Sequence, residues 1–173
     1  VGTISNEYKI DGLINGIKLL PKDIVAKLRI RFIGKISAEL IKKFEISGLQ
    51  DNIETLGYVE HKKAINYLCS SNALLLIIPS VENNKGILTG KLFEYLASNR
   101  PILFIGPTKG DAAKIIEETE SGIVCDYADS NKISKGINRL FAKKNAASNT
   151  HQNFSKRLKY SRESLTKKLI EII

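Results

Sequence analysis

Short runs of β-branched and other large apolar residues alternate along the chain with segments of helical period, and this alternation narrows the fold more than any other feature. Strands are expected at residues 2–4, 28–33, 53–58, 73–78, 102–105 and 122–125, each separated from the next by a stretch long enough for a helix. Parallel neighbours cannot be joined by a tight hairpin and need a crossover, usually helical, so the alternation predicts a mainly parallel sheet with helices on both faces. The expected class is therefore α/β, a doubly wound sheet of about six strands with a C-terminal helix. Ile10, Leu13, Ile14, Ile17 and Leu20 mark one helix face before Pro21, and Ala64, Ile65, Leu68 and Cys69 mark another. Asp111, Ser130 and Ser155 stand at N-cap positions of helices running through Glu118, through Phe141 and to the chain end, the last with a stripe of Leu158, Leu165, Leu169 and Ile172. Residues 145–153 read as a polar linker, which divides the chain into a body, 1–153, and a C-terminal helix, 154–173.

A length of 173 residues suits one compact domain. The longest apolar run, residues 73–79, has the length of a buried strand and falls far short of the roughly 20 residues that span a bilayer. No charged-then-apolar leader is expected. Cys69 and Cys125 have no His or Cys at ligand spacing, so two buried thiols are expected, with no disulfide and no metal. Charge is divided unevenly. Residues 1–131 hold 16 Lys or Arg against 16 Asp or Glu and residues 132–173 hold 11 against 2, so the net +9 lies in the tail. Such a tail is either a solvated amphipathic helix or a contact for an anionic membrane surface. No aromatic platform or nucleic-acid motif accompanies it, so no nucleic-acid partner is expected.

Several phosphate and catalytic signatures are absent. The residues after the first strand, Ser5, Asn6, Glu7, Tyr8 and Lys9, contain no glycine-rich dinucleotide turn. The segment GPTKGD, residues 106–111, lacks P-loop spacing. His61 and His151 are isolated from any serine or cysteine elbow.

The most informative stretch is GILTGKLFEYLASNRPILFIGP, residues 86–107. Thr89 can cap a helix that starts at Gly90, leaving unpaired backbone N–H groups and aligned peptide dipoles that favour phosphate. Lys91 adds positive charge. Leu92, Phe93, Leu96 and Ala97 are expected to form the buried stripe, with Lys91, Glu94 and Ser98 on the other side. Glu94 then lies one turn from the anion site, where a carboxylate can accept two hydrogen bonds from the vicinal hydroxyls of a ribose.

On TGKLFEYLASNRPIL (89–103), with GDAAKIIEETESGIVCDYAD (110–129), LGYVEHKKAINYL (56–68) and the opening VGTIS, the chain resembles the donor-binding domain of GT-B glycosyltransferases, specifically the retaining family 4 group of the capsule and cell-surface polysaccharide type. The resemblance implies a Rossmann-like C-terminal half that holds a nucleoside diphosphate sugar, with an N-terminal acceptor domain outside this chain and a C-terminal helix that crosses back to it. It implies no cofactor and no metal, and a cytoplasmic location is expected, with the basic tail as the feature that would hold the enzyme peripherally at the membrane. By position, Glu94 matches the glutamate that holds the ribose, and Thr89, Gly90, Lys91 and Leu92 match the helix start facing the diphosphate. Tyr58 and Val59 match the loop beside the base, and Gly34 the turn of the neighbouring strand. Two departures stand out. Gly86 occupies the position of the family's first glutamate, leaving open whether Glu82 replaces it, and Thr3 and Tyr8 stand where the family often has Arg and Lys, with Lys9 one place displaced. The competing readings are a non-catalytic nucleotide-binding or protein-interaction module on the same scaffold, and a GT-B epimerase.

Overall fold

A computed structural model describes residues 1–143 and 154–171. The chain runs α1 (Asp11–Lys18), α2 (Lys22–Lys27), β1 (Ile30–Phe32), α3 (Ala38–Ile46), β2 (Ile53–Thr55), α4 (His61–Ser70), β3 (Leu74–Ile77), α5 (Gly90–Ala97), β4 (Ile102–Ile105), α6 (Asp111–Glu118), β5 (Gly122–Cys125), α7 (Ser130–Lys143), α8 (Phe154–Leu158) and α9 (Arg162–Ile170). Every strand pairing is parallel, with β1 on β2 and β3-β4-β5 in a second sheet. The expected α/β class with helices on both faces and a helical C-terminus is thus the class the chain adopts.

The strand count differs from expectation. Among the described residues there are five strands in two sheets rather than six in one. Residues 2–4 form a single parallel bridge, Ile4 to Ile36, supported by Gly2 N–H to Ile33 O (2.7 Å) and Ile4 N–H to Lys35 O (2.8 Å). That run reaches only the continuation of β1 and makes no ladder with β3, so the two sheets stay separate.

The alternation of side chains across the strands builds two cores. Leu74, Leu76, Ile78, Ile102 and Phe104 pack with Leu68, Leu92, Leu96 and Ile116 from α4, α5 and α6. Ile77, Leu103, Ile105 and Cys125 pack on the opposite face with Leu13, Ile17, Ile133 and Ile137 from α1 and α7. All four residues of β4 are buried, as a central strand covered on both sides requires. The helical stripe from Ile10 to Leu20 is buried at every one of its five positions. Ser37 caps α3, its hydroxyl accepting from Leu40 N–H at 3.2 Å.

Other local expectations are corrected. The α6 cap is Gly110, with Asp111 in the first turn beside Lys114 at 3.1 Å. Asp129, one residue before Ser130, caps α7 by accepting from Lys132 N–H at 2.9 Å. Cys125 is buried but Cys69 is exposed, because Ala64 and Leu68 already fill the inward line of α4. The C-terminal region is two helices rather than one from Ser155, since Ser161 caps α9 through Ser164 N–H at 3.1 Å and so restarts the chain. Lys159 and the Tyr160 hydroxyl bind Glu118, Lys156 binds Glu120 and Arg157 binds Asn99, which ties α8 to the body. In α9, Leu165, Leu169 and Ile170 are exposed rather than turned inward. The linker at 145–153, together with His151 and Ile172, lies outside the described residues. No helix among the described residues is long and apolar enough to cross a membrane.

Candidate functional site

The carboxyl ends of the parallel strands gather the loops that sequence reasoning singled out. The first of these holds residues 5–9, and the Glu7 carbonyl accepts from Ser80 N–H at 2.8 Å, which joins it to the loop after β3. Gly34 ties two more together. Its N–H donates to Gly57 O at 2.6 Å, and at φ +111° a side chain there would place its first carbon 2.4 Å from Gly2 O. Glycine is therefore required at Gly34 both for its backbone angle and for the close approach of the N-terminal segment.

α5 begins where the loop after β3 ends. The Thr89 backbone carbonyl accepts from Leu92 N–H at 3.0 Å, while the N–H groups of Gly90 and Lys91, first in the helix, have no preceding turn to bond. The Thr89 side chain does not cap the helix as expected. Its Oγ1 is buried with no hydrogen-bond partner, an arrangement that costs free energy unless another group supplies the bond. Gly90 is exposed and nothing lies within 4 Å of where its Cβ would be, so the approach to the helix start is open.

The inward face of α5 is Leu92, Tyr95 and Leu96, with Phe93 half-buried and Ala97 exposed. Tyr95 is buried in the place expected of Ala97, with its hydroxyl 3.3 Å from the Val1 nitrogen. Burial, then the charge of Glu94, pushes the Tyr95 hydroxyl up to about 12. Lys91 is lowered by burial, because its side chain folds over Gly2, where an added Cβ would meet Nζ at 2.8 Å. Glu94 is exposed, one turn into the helix.

The structure thus brings Thr89, Gly90, Lys91, Leu92 and Glu94 together on α5 and sets Lys91 against the Gly2 and Gly34 turn. Leu92 is fully buried, so it contributes its backbone to the helix start and its side chain to the core. Tyr58, after β2, is 90% exposed, an unusual position for an aromatic ring without a partner, and Val59 beside it is half-buried. Lys9 is exposed, and among the described residues no hydrogen bond or ion pair joins Lys9 or the Tyr58 side chain to α5. Gly86 ends a 3-10 turn with open space at its Cβ position, and Glu82 is exposed on the same loop. Among the described residues no cluster of His, Cys, Asp or Glu has metal-site geometry.

Tyr127 was not legible as a site residue. It follows β5, and its hydroxyl donates to Ile78 O at 2.8 Å and accepts from Asn84 Nδ2 at 3.1 Å, while Asn84 also donates to Pro79 O at 3.0 Å. These bonds moor the loop after β3 to the end of β5, two strands across the sheet. Burial is the main cause that raises the Tyr127 hydroxyl to about 12, so it stays a donor over the physiological range. Tyr127→Phe is expected to cost about 1 kcal/mol of stability and to speed exchange at Ser80 N–H, while the amides of β4 stay protected. Hydrogen exchange of the two proteins checks this, and unchanged protection at Ser80 would show that the loop does not depend on Tyr127.

Parallel strands with loops and a bare helix start at their carboxyl ends form a Rossmann-like arrangement. The family model described as glycosyl transferases group 1 matches residues 1–159, and the chain belongs to that family. The chain is similar in structure to Anabaena HepE, solved in complex with UDP, with a TM-score of 0.71 and 13% identity over 99% of this chain and 47% of that one. It is also similar to WaaG, a glycosyltransferase involved in lipopolysaccharide biosynthesis (TM-score 0.67, 16% identity, 99% of this chain, 46% of that one). A third likeness is to the pneumococcal O-GlcNAc transferase GtfA, solved with UDP and GlcNAc (TM-score 0.67, 13% identity, 99% of this chain, 35% of that one). These identities establish the fold alone, and the chain spans half or less of the length of each of the three. No curated protein sequence matches the chain significantly.

Proposed function

We propose that the chain is the donor-binding half of a glycosyltransferase that moves a sugar from a nucleoside diphosphate sugar to an acceptor hydroxyl, with retention of configuration, in surface polysaccharide biosynthesis. The observation that carries this reading is the start of α5, where the N–H groups of Gly90 and Lys91 stand bare at an open approach, one turn from the exposed Glu94. Backbone donors and the helix dipole favour a diphosphate there and stabilise the charge that grows on it as the sugar leaves. Lys91 reaches the same charge by a rotation of its side chain away from Gly2. In this reading Tyr58 and Val59 flank the base, Gly34 and Lys9 border the phosphates, and open space at Gly86 leaves room for the sugar. The acceptor is held by an N-terminal domain, and no metal is needed. UDP and GDP titrated calorimetrically into the protein test the reading, and heat from neither would end it. Turnover by the full-length enzyme separates it from a non-catalytic nucleotide-binding module.

The same reading puts the enzyme at the cytoplasmic face of a membrane. Its support is α9, where exposed Leu165, Leu169 and Ile170 stand beside Lys167 and Lys168. Glu118, Glu120 and Glu163 already engage Lys159, Lys156 and Lys167, so only part of the tail charge is available for headgroups. Each remaining cation near an anionic surface contributes on the order of 1 kcal/mol, a contribution that salt screens. Co-sedimentation with anionic vesicles is expected to exceed that with neutral ones at low salt and to fall at high salt. Equal binding to both vesicle types would return the tail to a solvated role.

A further inference from the structure

The basic helix α8 meets the body at the ends of two other helices. α5 and α6 each run out into a left-handed residue that is not glycine, Asn99 at φ 58° and Glu120 at φ 48°. α8 holds the side chain of both, Arg157 on Asn99 and Lys156 on Glu120. Glu118, in the last turn of α6, accepts from Lys159 at 3.0 Å and from the Tyr160 hydroxyl at 2.5 Å. Apolar burial adds little to this dock. Of residues 155–160 none is fully buried, Tyr160 packs at the rim of the core, and Leu158 is 46% exposed. The Nε of Arg157 is buried with no hydrogen-bond partner, so the dock leaves a guanidinium donor unsatisfied. α8 is therefore held by charge rather than by a hydrophobic seat. Half-exposed ion pairs such as Lys156 to Glu120 and Lys159 to Glu118 are weak and screened by salt.

A layer of lipid phosphates offers these cations the same chemistry as the carboxylates they now hold. Phosphate oxygens can replace Glu118 and Glu120 around Lys159 and Lys156, and can meet the Arg157 guanidinium with the paired geometry that Asn99 does not give it. We propose that the face of α8 turned to α5 and α6 is a masked surface for an anionic bilayer, whose cations exchange protein partners for lipid phosphates when the enzyme settles on the membrane. The proposal rests on the membrane reading above and adds that the tail has two alternative seats, the end of α6 and the bilayer. Lipid is the occupant rather than an acidic protein segment because exposed leucines accompany the cations along the tail. Leu158 lies between Arg157 and Lys159, and Leu165 and Leu169 follow in α9. A bilayer boundary takes up cations and leucines together without a matching surface. Since carboxylates and phosphates compete for the same side chains, Glu118 and Glu120 restrain attachment by their grip on α8 and not merely by their charge.

Two measurements on the full-length protein with anionic and neutral vesicles at low salt test this. Glu118→Gln is expected to raise partition onto anionic vesicles roughly 5-fold, the effect of freeing about one cation for the surface. Glu117→Gln removes the same charge from the exposed neighbour that holds no tail residue, and is expected to stay within about 2-fold of the parent. Carbodiimide labelling of carboxylates reads the exchange itself. On anionic vesicles the labelling of Glu118 and Glu120 is expected to rise severalfold while that of Glu117 holds steady. Anionic binding with unchanged labelling at Glu118, or equal shifts from Glu118→Gln and Glu117→Gln, overturns the exchange and leaves the membrane reading standing. Equal binding to both vesicle types overturns the membrane reading and the exchange together. Inorganic phosphate that raises Glu118 labelling without vesicles, at matched ionic strength, assigns the cations to a soluble anion and overturns the bilayer as their partner.

Discussion

Gly12→Ala is expected to lower the stability of the protein by about 3 kcal/mol, at the upper end of the range for overpacking, and its midpoint of thermal unfolding by roughly 6 to 12 °C. The reason is local and geometric. A Cβ at Gly12 would stand 1.9 Å from Tyr127 O and 3.0 Å from Tyr127 C, both backbone atoms that cannot move aside as a side-chain tip can. Gly16, one turn on, meets Ile133 Cγ2 at 2.8 Å and Ser130 O at 3.0 Å, so α1 and the start of α7 touch backbone to backbone along this line. Relief requires α1 to shift, and α1 carries Leu13 and Ile17 in the core. It also pushes on Tyr127, whose hydroxyl moors the loop after β3, so the damage reaches the candidate site from the far side of the sheet. Gly86→Ala is the control, because open space surrounds its Cβ position, and its stability is expected to stay within about 0.5 kcal/mol of the parent. Calorimetric unfolding of the three proteins decides the matter. Equal midpoints for the parent and Gly12→Ala would mean that the helices separate without cost.

How much of this architecture the sequence makes legible follows from how local each cause is. β4 and β5 fall at the expected residues because apolar runs flanked by Pro101 and Gly106, and by Ser121 and Asp126, leave little choice of boundary. The stripe of α1 is legible for the same reason, since one helix face repeats at fixed spacing. The division into two sheets is not local. It depends on what lies between β1 and β3, and no spacing within either strand reports that. Caps fail by one residue at Asp111 and Ser130 because the deciding hydrogen bond depends on backbone angles that composition does not fix. The break between α8 and α9 is of the same kind, because Ser155 and Ser161 are equally good caps by type. In the candidate site, Thr89, Gly90, Lys91 and Glu94 are readable together because they share one helix. The direction taken by the Lys91 side chain and the reach of Tyr127 to Ile78 and Asn84 are contacts between distant parts of the chain and leave no trace in local spacing.

Glu94→Ala is expected to weaken binding of a nucleoside diphosphate by roughly 5- to 150-fold, the equivalent of about 1 to 3 kcal/mol for removing a charged acceptor from two hydroxyl donors. The placement explains the size. Glu94 is exposed, so its carboxylate is paid for by water in the free protein and gains only the net difference when a ribose replaces that water. Its removal leaves the fold nearly untouched, because the inward face of α5 is carried by Leu92, Tyr95 and Leu96, and stability is expected to stay within about 0.5 kcal/mol. A loss of affinity with unchanged unfolding therefore reports on the ligand and not on the helix. The identity of the lost contact is read from the ligand side. A 2′-deoxynucleotide, which lacks one of the two hydroxyls, is expected to bind the parent more weakly and to lose less on Glu94→Ala, so that the two changes are not additive. Lys91→Ala is expected to divide the ligands differently, weakening the diphosphate and leaving the nucleoside nearly unchanged, because its charge acts on the phosphates at the helix start. Calorimetric titration of parent and variants with the diphosphate, the deoxy diphosphate and the nucleoside completes the set. An affinity for the diphosphate that Glu94→Ala leaves unchanged would sink the ribose assignment while leaving the helix start free to bind phosphate. Independent, additive losses from the deoxy ligand and the variant would place the carboxylate on some other part of the nucleotide.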